Sequence, residues 1–161
     1  MVDFKLDKTD LKVLQTLQDQ GRITNQDLAN LIHLSPSSCL QRVRRLEKAG
    51  VIALYAANLE LGLIARHIMC IATVSLRNHT QEEFEQYEEL IAKIPEVVEC
   101  FTVSGESDFF VRVICPDMKR YLEINGELLS ANSSRVNINT FVVMKENKRF
   151  RGVNLKTLVE G

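Results

Sequence analysis

Side chains that can contact nucleic acid are concentrated between positions 35 and 45 of the chain. They are Ser35, Ser37, Ser38, Gln41, Arg42, Arg44 and Arg45. Serine hydroxyls can bind phosphate oxygens, glutamine can pair with the edge of an adenine, and arginine can bind guanine through two hydrogen bonds or hold a phosphate. If the segment is helical, positions 38, 41, 42 and 45 share one face, with 37 and 44 beside it. This polar, basic face indicates DNA contact, but it is also compatible with the solvated side of an ordinary amphipathic helix.

Capping residues and apolar spacing predict three short helices before residue 50. The first begins at Asp7 or Thr9, the second at Thr24, and the third at Ser35, where a proline follows. Their predicted apolar stripes are Leu11, Leu14 and Leu17, then Leu28, Leu31 and Ile32, then Cys39, Leu40, Val43 and Leu46. The short connection before the third helix is typical of a helix-turn-helix, whose second helix enters the major groove. The run from Val51 to Ala57 predicts a β wing.

Composition and charge describe an ordinary globular protein. The 161 residues are 45% apolar and 25% charged, which allows one domain or two small ones. Residues 1–56 carry eight Lys and Arg against six Asp and Glu, and the other 105 carry twelve against fifteen. The sequence has no 18-residue apolar run and no secretory leader pattern, so a cytoplasmic protein is expected. Four scattered cysteines without a C-x-x-C pair favour reduced, mostly buried thiols over a metal site.

The remaining two thirds of the sequence alternate between strand and helix patterns. The predicted strands are Ile68–Leu76, Val97–Ser104, Phe109–Cys115 and Val136–Lys145. A helix capped by Thr80 with Glu83 carries the stripe Phe84, Tyr87, Ile91 and Ile94, and a helix opened by Pro116 carries Met118, Tyr121, Leu122, Leu128 and Leu129. The order βαββαβ predicts an α+β, ferredoxin-like domain with both helices on one face of an antiparallel sheet.

The other face of that predicted sheet has no element of the chain to cover it. A monomer rarely leaves an extended apolar surface in water, so self-association through the sheet is expected. A two-fold dimer would also pair two DNA-reading helices for two half-sites, which a single short module needs for useful affinity.

Several stretches resemble the leucine-responsive/asparagine-regulator (Lrp/AsnC) family of transcription factors over nearly the whole chain. They are Leu6–Asp10, Leu34–Glu47, Gly50–Ile52, Val103–Phe109 and Thr140–Lys145. The resemblance implies a winged helix-turn-helix joined by a hinge strand to a ferredoxin-like regulatory domain. It implies dimers that assemble to octamers and an amino acid bound between dimers. The expected domains are residues 1–56, a hinge at 57–66, the effector-binding and oligomerisation domain at 67–147, and a tail at 148–161.

The resemblance places much of the effector site at the turn around Gly105. The expected effector residues are Val103, Gly105, Glu106, Ser107, Asp108, Met118, Tyr121, Asn139 and Thr140. Backbone N–H groups of a glycine turn can hold a ligand carboxylate, and Asp108 can hold an ammonium group. Alternatively the segment is a plain hairpin in which Asp108 bonds the turn. Ser107 replaces a bulkier residue of many relatives, so leucine cannot be assumed as the effector.

Three functions therefore compete. The first is a sequence-specific, DNA-binding transcriptional regulator of amino-acid metabolism or transport, needing no cofactor beyond its amino-acid effector. The second is a tetrapyrrole decarboxylase on the same scaffold, for which His33, His67 and His79 offer no convergent acid–base set. The third is a metabolite-binding regulatory subunit without DNA binding. The basic tail from Lys148 to Lys156 could touch DNA, extend into solvent or pack on a neighbouring subunit.

Overall fold

The computed structural model describes residues 4–130 and 136–160, which form two compact units. The first unit consists of the residues up to Leu59 together with those from Lys148 onward, and the second consists of Glu60–Asn147. The residues from Lys148 onward, expected as a separate tail, therefore group with the N-terminal part of the chain. The domain boundaries at residues 56, 66 and 147 stay predictions.

Three helices form the N-terminal part of the first unit, in the order expected from their caps. They are α1 (Lys8–Asp19), α2 (Asn25–Leu31) and α3 (Pro36–Lys48). Asp7, Thr24 and Ser35 are the N-caps, and each side chain accepts a backbone N–H three residues on. The core consists of Val13, Leu28, Ala29, Ile32, Cys39 and Leu46. Leu31 and Leu40, predicted to be buried, are 56% and 39% exposed, because the buried line of each helix passes beside them.

The segment after α3 differs from its prediction. Gly50 ends the helix with a φ of 71°, which only glycine adopts readily. The predicted strands of a β wing at Val51–Ala57 are wrong, because the described residues of the first unit contain no strand to pair with this segment. A short helix, α7 (Leu155–Glu160), lies against α1.

The second unit is a four-stranded sheet with two main helices. Its elements are α4 (Leu61–Ile64), β1 (Ile68–Ser75), α5 (Gln81–Ala92), β2 (Val97–Thr102), β3 (Phe109–Cys115), α6 (Met118–Ser130) and β4 (Asn137–Val142). The sheet order is β2-β3-β1-β4, and every neighbouring pair is antiparallel. This arrangement confirms the predicted ferredoxin-like fold. The segment 57–66, expected as a hinge, contains the helical turn α4 and no strand, so the strand that the resemblance implied for the hinge is not seen there and the hinge itself stays a prediction.

Helices α5 and α6 cover one face of the sheet over its two central strands, β1 and β3. Alternate residues of β1 and β3 are buried there, with Tyr87 and Ile91 from α5 and Tyr121, Ile124 and Leu128 from α6. Met118, Leu122 and Leu129, predicted to point inward, are 42%, 62% and 43% exposed, because the inner line of α6 passes through positions 121, 124 and 128. Cys39, Cys70 and Cys115 are buried free thiols, as expected, and Cys100 is half-buried.

No described element of the second unit covers the other face of the sheet, and the residues of β1 on that face are only half-buried, so β1 is not buried on both sides as predicted. Residues opposite one another in the antiparallel register point to the same side. The register places on this face Met69, Ile71, Thr73 and Ser75 with Phe110, Arg112, Ile114, Glu99, Phe101, Asn139 and Phe141. Phe101 and Phe141 are 52% and 59% exposed, so the open face is largely apolar and only partly shielded.

Candidate functional site

The amino terminus of α3 is fixed by a network of hydroxyl groups. Ser35 Oγ accepts the backbone N–H of Ser38 at 3.2 Å and lies 2.9 Å from Ser38 Oγ and 3.1 Å from Ser37 Oγ. Asn25 of α2 donates its amide to the Pro36 carbonyl at 2.9 Å. Ser35 thus serves as the helix cap, whereas Ser37 and Ser38 are exposed beside it.

The turn between α2 and α3 sets the direction in which α3 leaves. His33 takes a left-handed φ of 58°, which is uncommon for any residue other than glycine. The backbone N–H of Leu34 returns to the Ala29 carbonyl at 2.9 Å. His33 is exposed, so its role here is in the turn geometry and not in a buried acid–base set.

Arg42 and Arg45 are engaged by a carboxylate of α1. Asp10 is fully buried, and Arg42 Nη1 donates to its Oδ1 at 2.8 Å while Arg45 Nη2 donates to its Oδ2. Arg45 also stacks over the Phe4 ring, with 5.1 Å between its guanidinium carbon and the ring centroid. A buried carboxylate needs such partners, since burial of an unpaired charge is costly. Both arginines therefore hold α3 against α1.

Asp7 completes this cluster from the start of α1. Its Oδ1 accepts the Asp10 backbone N–H at 2.7 Å, and its Oδ2 accepts from Arg42 Nη1 at 2.7 Å. In return the Asp7 backbone N–H donates to Asp10 Oδ2 at 3.0 Å, which completes a capping box. The Asp10 N–H and the Arg42 guanidinium lower the pKa of Asp7 below its ordinary value of 3.8.

A pH-dependent contribution to stability follows from the lowered pKa of Asp7. The stabilisation is complete above pH 3.8 and is lost as the pH falls through the lower pKa of the folded state. Asp7→Asn keeps an acceptor for the Asp10 N–H but cannot titrate. We expect the wild type to be more stable than this variant at pH 7, by less than about 1 kcal/mol because Asp7 is half-exposed, and this difference to shrink at an acidic pH well below 3.8. Unfolding in urea at both pH values measures the difference; a constant difference would contradict the assignment.

The side chains that remain available on α3 are Ser37, Ser38, Gln41 and Arg44. All four are exposed. Among the described residues, no carboxylate pairs with Arg44 and no side chain bonds Gln41. The sequence grouped Arg42 and Arg45 with this face, but the structure directs their guanidinium groups to Asp10. One sequence signal could have distinguished these two arginines from the DNA-facing residues. Asp7 and Asp10 are spaced three positions apart in the sequence, as Arg42 and Arg45 are, which matches two carboxylates with two guanidinium groups.

The predicted effector turn is a tightly bonded hairpin connection. Gly105 has a φ of 137°, which requires glycine. The Val103 N–H donates to the Asp108 carbonyl at 2.9 Å, and Ser75 Oγ donates to the Glu106 carbonyl at 3.0 Å. Asp108 accepts the Leu76 backbone N–H on Oδ2 at 2.7 Å and lies 3.2 Å from His79 Nε2 on Oδ1. Its side chain is only 13% exposed, so Asp108 bonds the turn in this structure.

The other predicted effector residues lie elsewhere in the second unit. Tyr121 Oη and Thr140 Oγ1 are hydrogen-bonded at 2.6 Å on the helix side of the sheet. Asn139, one residue before Thr140, belongs to the open face. Met118 follows the far end of β3, which carries the chain about 20 Å away from the Gly105 turn. One chain therefore does not gather the predicted set around a single ligand.

Neither a metal centre nor a membrane span emerges from the described parts of the chain. Within residues 4–130 and 136–160, no three His, Cys, Asp or Glu side chains cluster closely enough to hold a metal ion. No helix in those ranges has the length and apolarity needed to cross a membrane.

Comparisons with known proteins agree with the two units. Residues 6–53 match a family model described as winged helix-turn-helix DNA-binding, and residues 69–153 match one described as the Lrp/AsnC ligand binding domain. The leucine-responsive regulatory proteins of Escherichia coli K12 and Klebsiella pneumoniae are each 36% identical to this chain, covering 98% of it and 99% of the relative. These matches confirm the predicted fold class, although the wing segment carries no strand.

Solved structures give the same result. A transcriptional regulator of Neisseria meningitidis, crystallised as an L-Met complex, is 34% identical with a TM-score of 0.87, over 96% of this chain and 100% of that one. An AsnC family transcriptional regulator from Agrobacterium tumefaciens is 25% identical with a TM-score of 0.87, over the same shares of both chains.

Proposed function

Because the chain belongs to the Lrp/AsnC family of transcriptional regulators, we propose that it regulates transcription by reading duplex DNA with α3 under the control of an amino acid. Members of this family are regulators and not enzymes, so the decarboxylase alternative is set aside. The observation that carries the proposal is the exposed polar face of a capped helix, on which Gln41 and Arg44 have no side-chain partner among the described residues. We place the protein in the cytoplasm, where its DNA would lie.

Ser37, Ser38, Gln41 and Arg44 are the proposed readers. Gln41 and Arg44 reach furthest and can bond base edges in the major groove, whereas Ser37 and Ser38 suit phosphate oxygens near the start of the helix. Ser35, Arg42 and Arg45, also expected from the sequence to contact DNA, are proposed to position α3, and the exposed parts of both guanidinium groups leave room for a phosphate contact.

Self-association through the open face of the sheet supports DNA binding in this proposal. On this face Arg112 and Glu99 form an ion pair at 3.0 Å, and the rings of Phe101 and Phe141 are exposed. A second copy packed here would bury the two rings, while the charges of Arg112 and Glu99 would already be paired within each copy. A two-fold homodimer would then present two copies of α3 to two half-sites. Further assembly of dimers to an octamer is the arrangement expected from the family.

The effector is proposed to be a small amino acid bound where two second units meet, in the domain expected at residues 67–147. β3 carries Met118 about 20 Å from the Gly105 turn, and Asn139 and Thr140 lie on opposite faces of the sheet, so the residues expected to bind the effector do not surround one ligand in a single chain. A complete site would combine the Gly105 turn of one copy with some of Met118, Tyr121, Asn139 and Thr140 of another. The L-Met complex of the Neisseria relative supports an amino-acid ligand. Regulation of genes of amino-acid metabolism or transport would follow from such an effector.

Asp108→Asn separates a ligand-binding role of Asp108 from a role in the turn. Asparagine keeps an oxygen for the Leu76 N–H but removes the charge that an ammonium group would need. We expect stability to change by less than about 1 kcal/mol and affinity for the effector to fall at least about tenfold. Calorimetric titration with the amino acid that binds the wild type measures this, with Glu85→Gln on exposed α5 as the charge-matched control. Unchanged affinity would leave Asp108 as a turn residue only.

Size-exclusion chromatography with light scattering tests the whole proposal. The purified protein is run alone, with each of the twenty amino acids, and with a duplex from the promoter of its own gene. We expect a symmetric oligomer that retains the duplex and whose mass or affinity shifts with one amino acid. A species that ignores both the duplex and every amino acid would contradict the proposed function.

A further inference from the structure

The C-terminal part of the chain returns to α1 through a contact with hydrogen bonds in both directions. The Val153 backbone N–H donates to Gln18 Oε1 at 2.9 Å, and Gln18 Nε2 donates to the Val153 carbonyl at 3.2 Å. The glutamine side chain thus pairs with the peptide at Val153 as a neighbouring strand would. The two residues are 135 positions apart, so this contact joins distant parts of the sequence within the first unit.

Gly152 permits the close approach of this peptide to Gln18. Its φ is 123°, in the region that favours glycine, and a Cβ on it would lie 2.6 Å from Gln18 Oε1 and 2.9 Å from Gln18 Cδ. The glutamine side chain could make room for a Cβ only by moving, and this movement would withdraw the two groups that bond Val153. A larger residue at position 152 should therefore release the segment from α1.

Apolar packing extends the contact to elements on both sides of α3 in the sequence. Val153 and Leu155 line a groove of about 470 Å³ together with Leu14 and Leu17 of α1 and with residues 51–55. Helix α1 precedes α3 and holds it through a buried carboxylate, and residues 51–55 follow the end of α3. The docked segment therefore packs on the elements that precede and follow the helix proposed to read DNA.

The groups that hold this segment on α1 are few and exposed. Both hydrogen bonds to Val153 are solvent-exposed, and the residue itself is 39% exposed. Exposed hydrogen bonds add little net stability because water competes for both partners. Segments with few buried contacts open at a lower free energy than the core of the same unit. Docking of the segment should therefore respond to a modest change elsewhere in the chain.

The docked segment is the direct continuation of β4. Val142 ends the strand, and ten residues, 143–152, connect it to Val153. β4 carries Asn139 and Thr140, which are among the residues from which the effector site is proposed to form. The chain passes between the two units at Leu59 and again at Lys148, so the second unit is joined to the first both before β1 and after β4.

We propose that residues 148–160 form a strap that carries the response to the amino-acid effector from β4 to the unit that reads DNA. The inference rests on the proposed function, because it needs an effector at β4 and a duplex on α3. The docked strap holds α1 and residues 51–55 in the geometry in which α3 meets DNA, and the released strap does not. The effector changes duplex affinity because it binds the docked and released states with different affinity.

The coupling between effector and duplex tests the proposal in the full-length protein. Affinity for a promoter duplex is measured with and without each of the twenty amino acids, and the amino acid with the largest effect on the wild type is used for the variants. A coupled effector changes affinity by about 5- to 150-fold. Gln18→Ala and Gly152→Ala should each bring the ratio of affinities with and without the amino acid to within about twofold of 1. Calorimetric titration should still show that both variants bind the amino acid.

Hydrogen exchange at the Val153 amide reports directly on the strap. Protection of this amide should change when the amino acid is added to the wild type, and it should be low in both variants with or without the amino acid. Gln86→Ala and Gly126→Ala, on helices of the second unit, are the matched controls. Gln86 is exposed, and a Cβ on Gly126 would meet nothing within 4 Å, so both controls should keep the wild-type ratio and the wild-type protection.

Two results would overturn the proposal. A wild-type ratio in variants whose Val153 amide has lost its protection would leave the connection at Leu59 as the route between the units. An amide that stays protected in both variants would show that Gln18 does not hold the strap. Failure of the proposed function would differ from both results, since the wild type itself would then retain no duplex or respond to none of the amino acids.

Discussion

Replacing Arg42 and Arg45 together with alanine is expected to destabilise the first unit by about 3 kcal/mol. The double variant leaves the fully buried Asp10 carboxylate with a single backbone N–H donor, from Asp7, and no positive partner. Each single variant keeps one arginine and should lose only about 1–2 kcal/mol. Thermal unfolding gives the total loss, and hydrogen exchange localises it, because protection should fall within residues 4–59 and not in the sheet of the second unit.

Two further variants make this result specific to the buried charge. Asp10→Asn in the double-variant background removes the unpaired charge and should restore part of the lost stability. Arg44→Ala on the same helix removes an exposed arginine and should stay within about 0.5 kcal/mol of the wild type. A double variant as stable as the wild type would mean that Asp10 does not depend on the two arginines.

Gln41→Ala and Arg44→Ala are expected to weaken binding to a promoter duplex by about 1–3 kcal/mol each, or roughly fivefold to 150-fold. Both side chains are exposed and bond nothing in the described parts of the chain, so stability should not change. Fluorescence anisotropy at fixed salt measures the affinity. A base contact by Gln41 would relax discrimination at one position of the site, whereas a phosphate contact by Arg44 would weaken all sequences alike and reduce the salt slope by about 1.

The comparison with Arg42→Ala distinguishes reading from positioning. If Arg42 mainly holds α3, its loss should weaken DNA binding only to the extent that it destabilises the unit, and lower temperature should restore much of the affinity. The opposite result would be unchanged binding by the Gln41 and Arg44 variants, with lost affinity but intact stability in the Arg42 and Arg45 variants. Arg42 and Arg45 would then be the residues that contact DNA.

The sequence was sufficient where local rules decide the structure. Caps at Asp7, Thr24 and Ser35, and the change from helical to alternating apolar spacing after residue 66, predicted the five longer helices, the four strands and the sheet topology, but not the short helices α4 and α7. Local rules could not show that Arg42 and Arg45 turn toward Asp10. A helical projection places a side chain on a face, but the partner on that face comes from a helix 32 to 35 positions away.

The effector site and the end of the chain show the same limit at longer range. The resemblance grouped Gly105 with Met118, Asn139 and Thr140, whereas β3 carries Met118 a strand length away from the turn and the strand register places Asn139 and Thr140 on opposite faces of the sheet. The sequence left open whether the basic C-terminal segment touches DNA, extends into solvent or packs on a neighbouring subunit, because nothing near it in the sequence is its partner. Its contact with Gln18 spans 135 positions, a pairing that neither composition nor periodicity encodes.

Selection of duplexes from a randomised pool by the wild-type protein tests the central claim, that α3 reads duplex DNA, most directly. We expect enrichment of a two-fold symmetric site whose half-sites lie about one helical turn of DNA apart or a multiple of it, and loss of that enrichment for the Gln41→Ala, Arg44→Ala double variant. An unenriched pool, or the same site selected by the double variant, would contradict the claim.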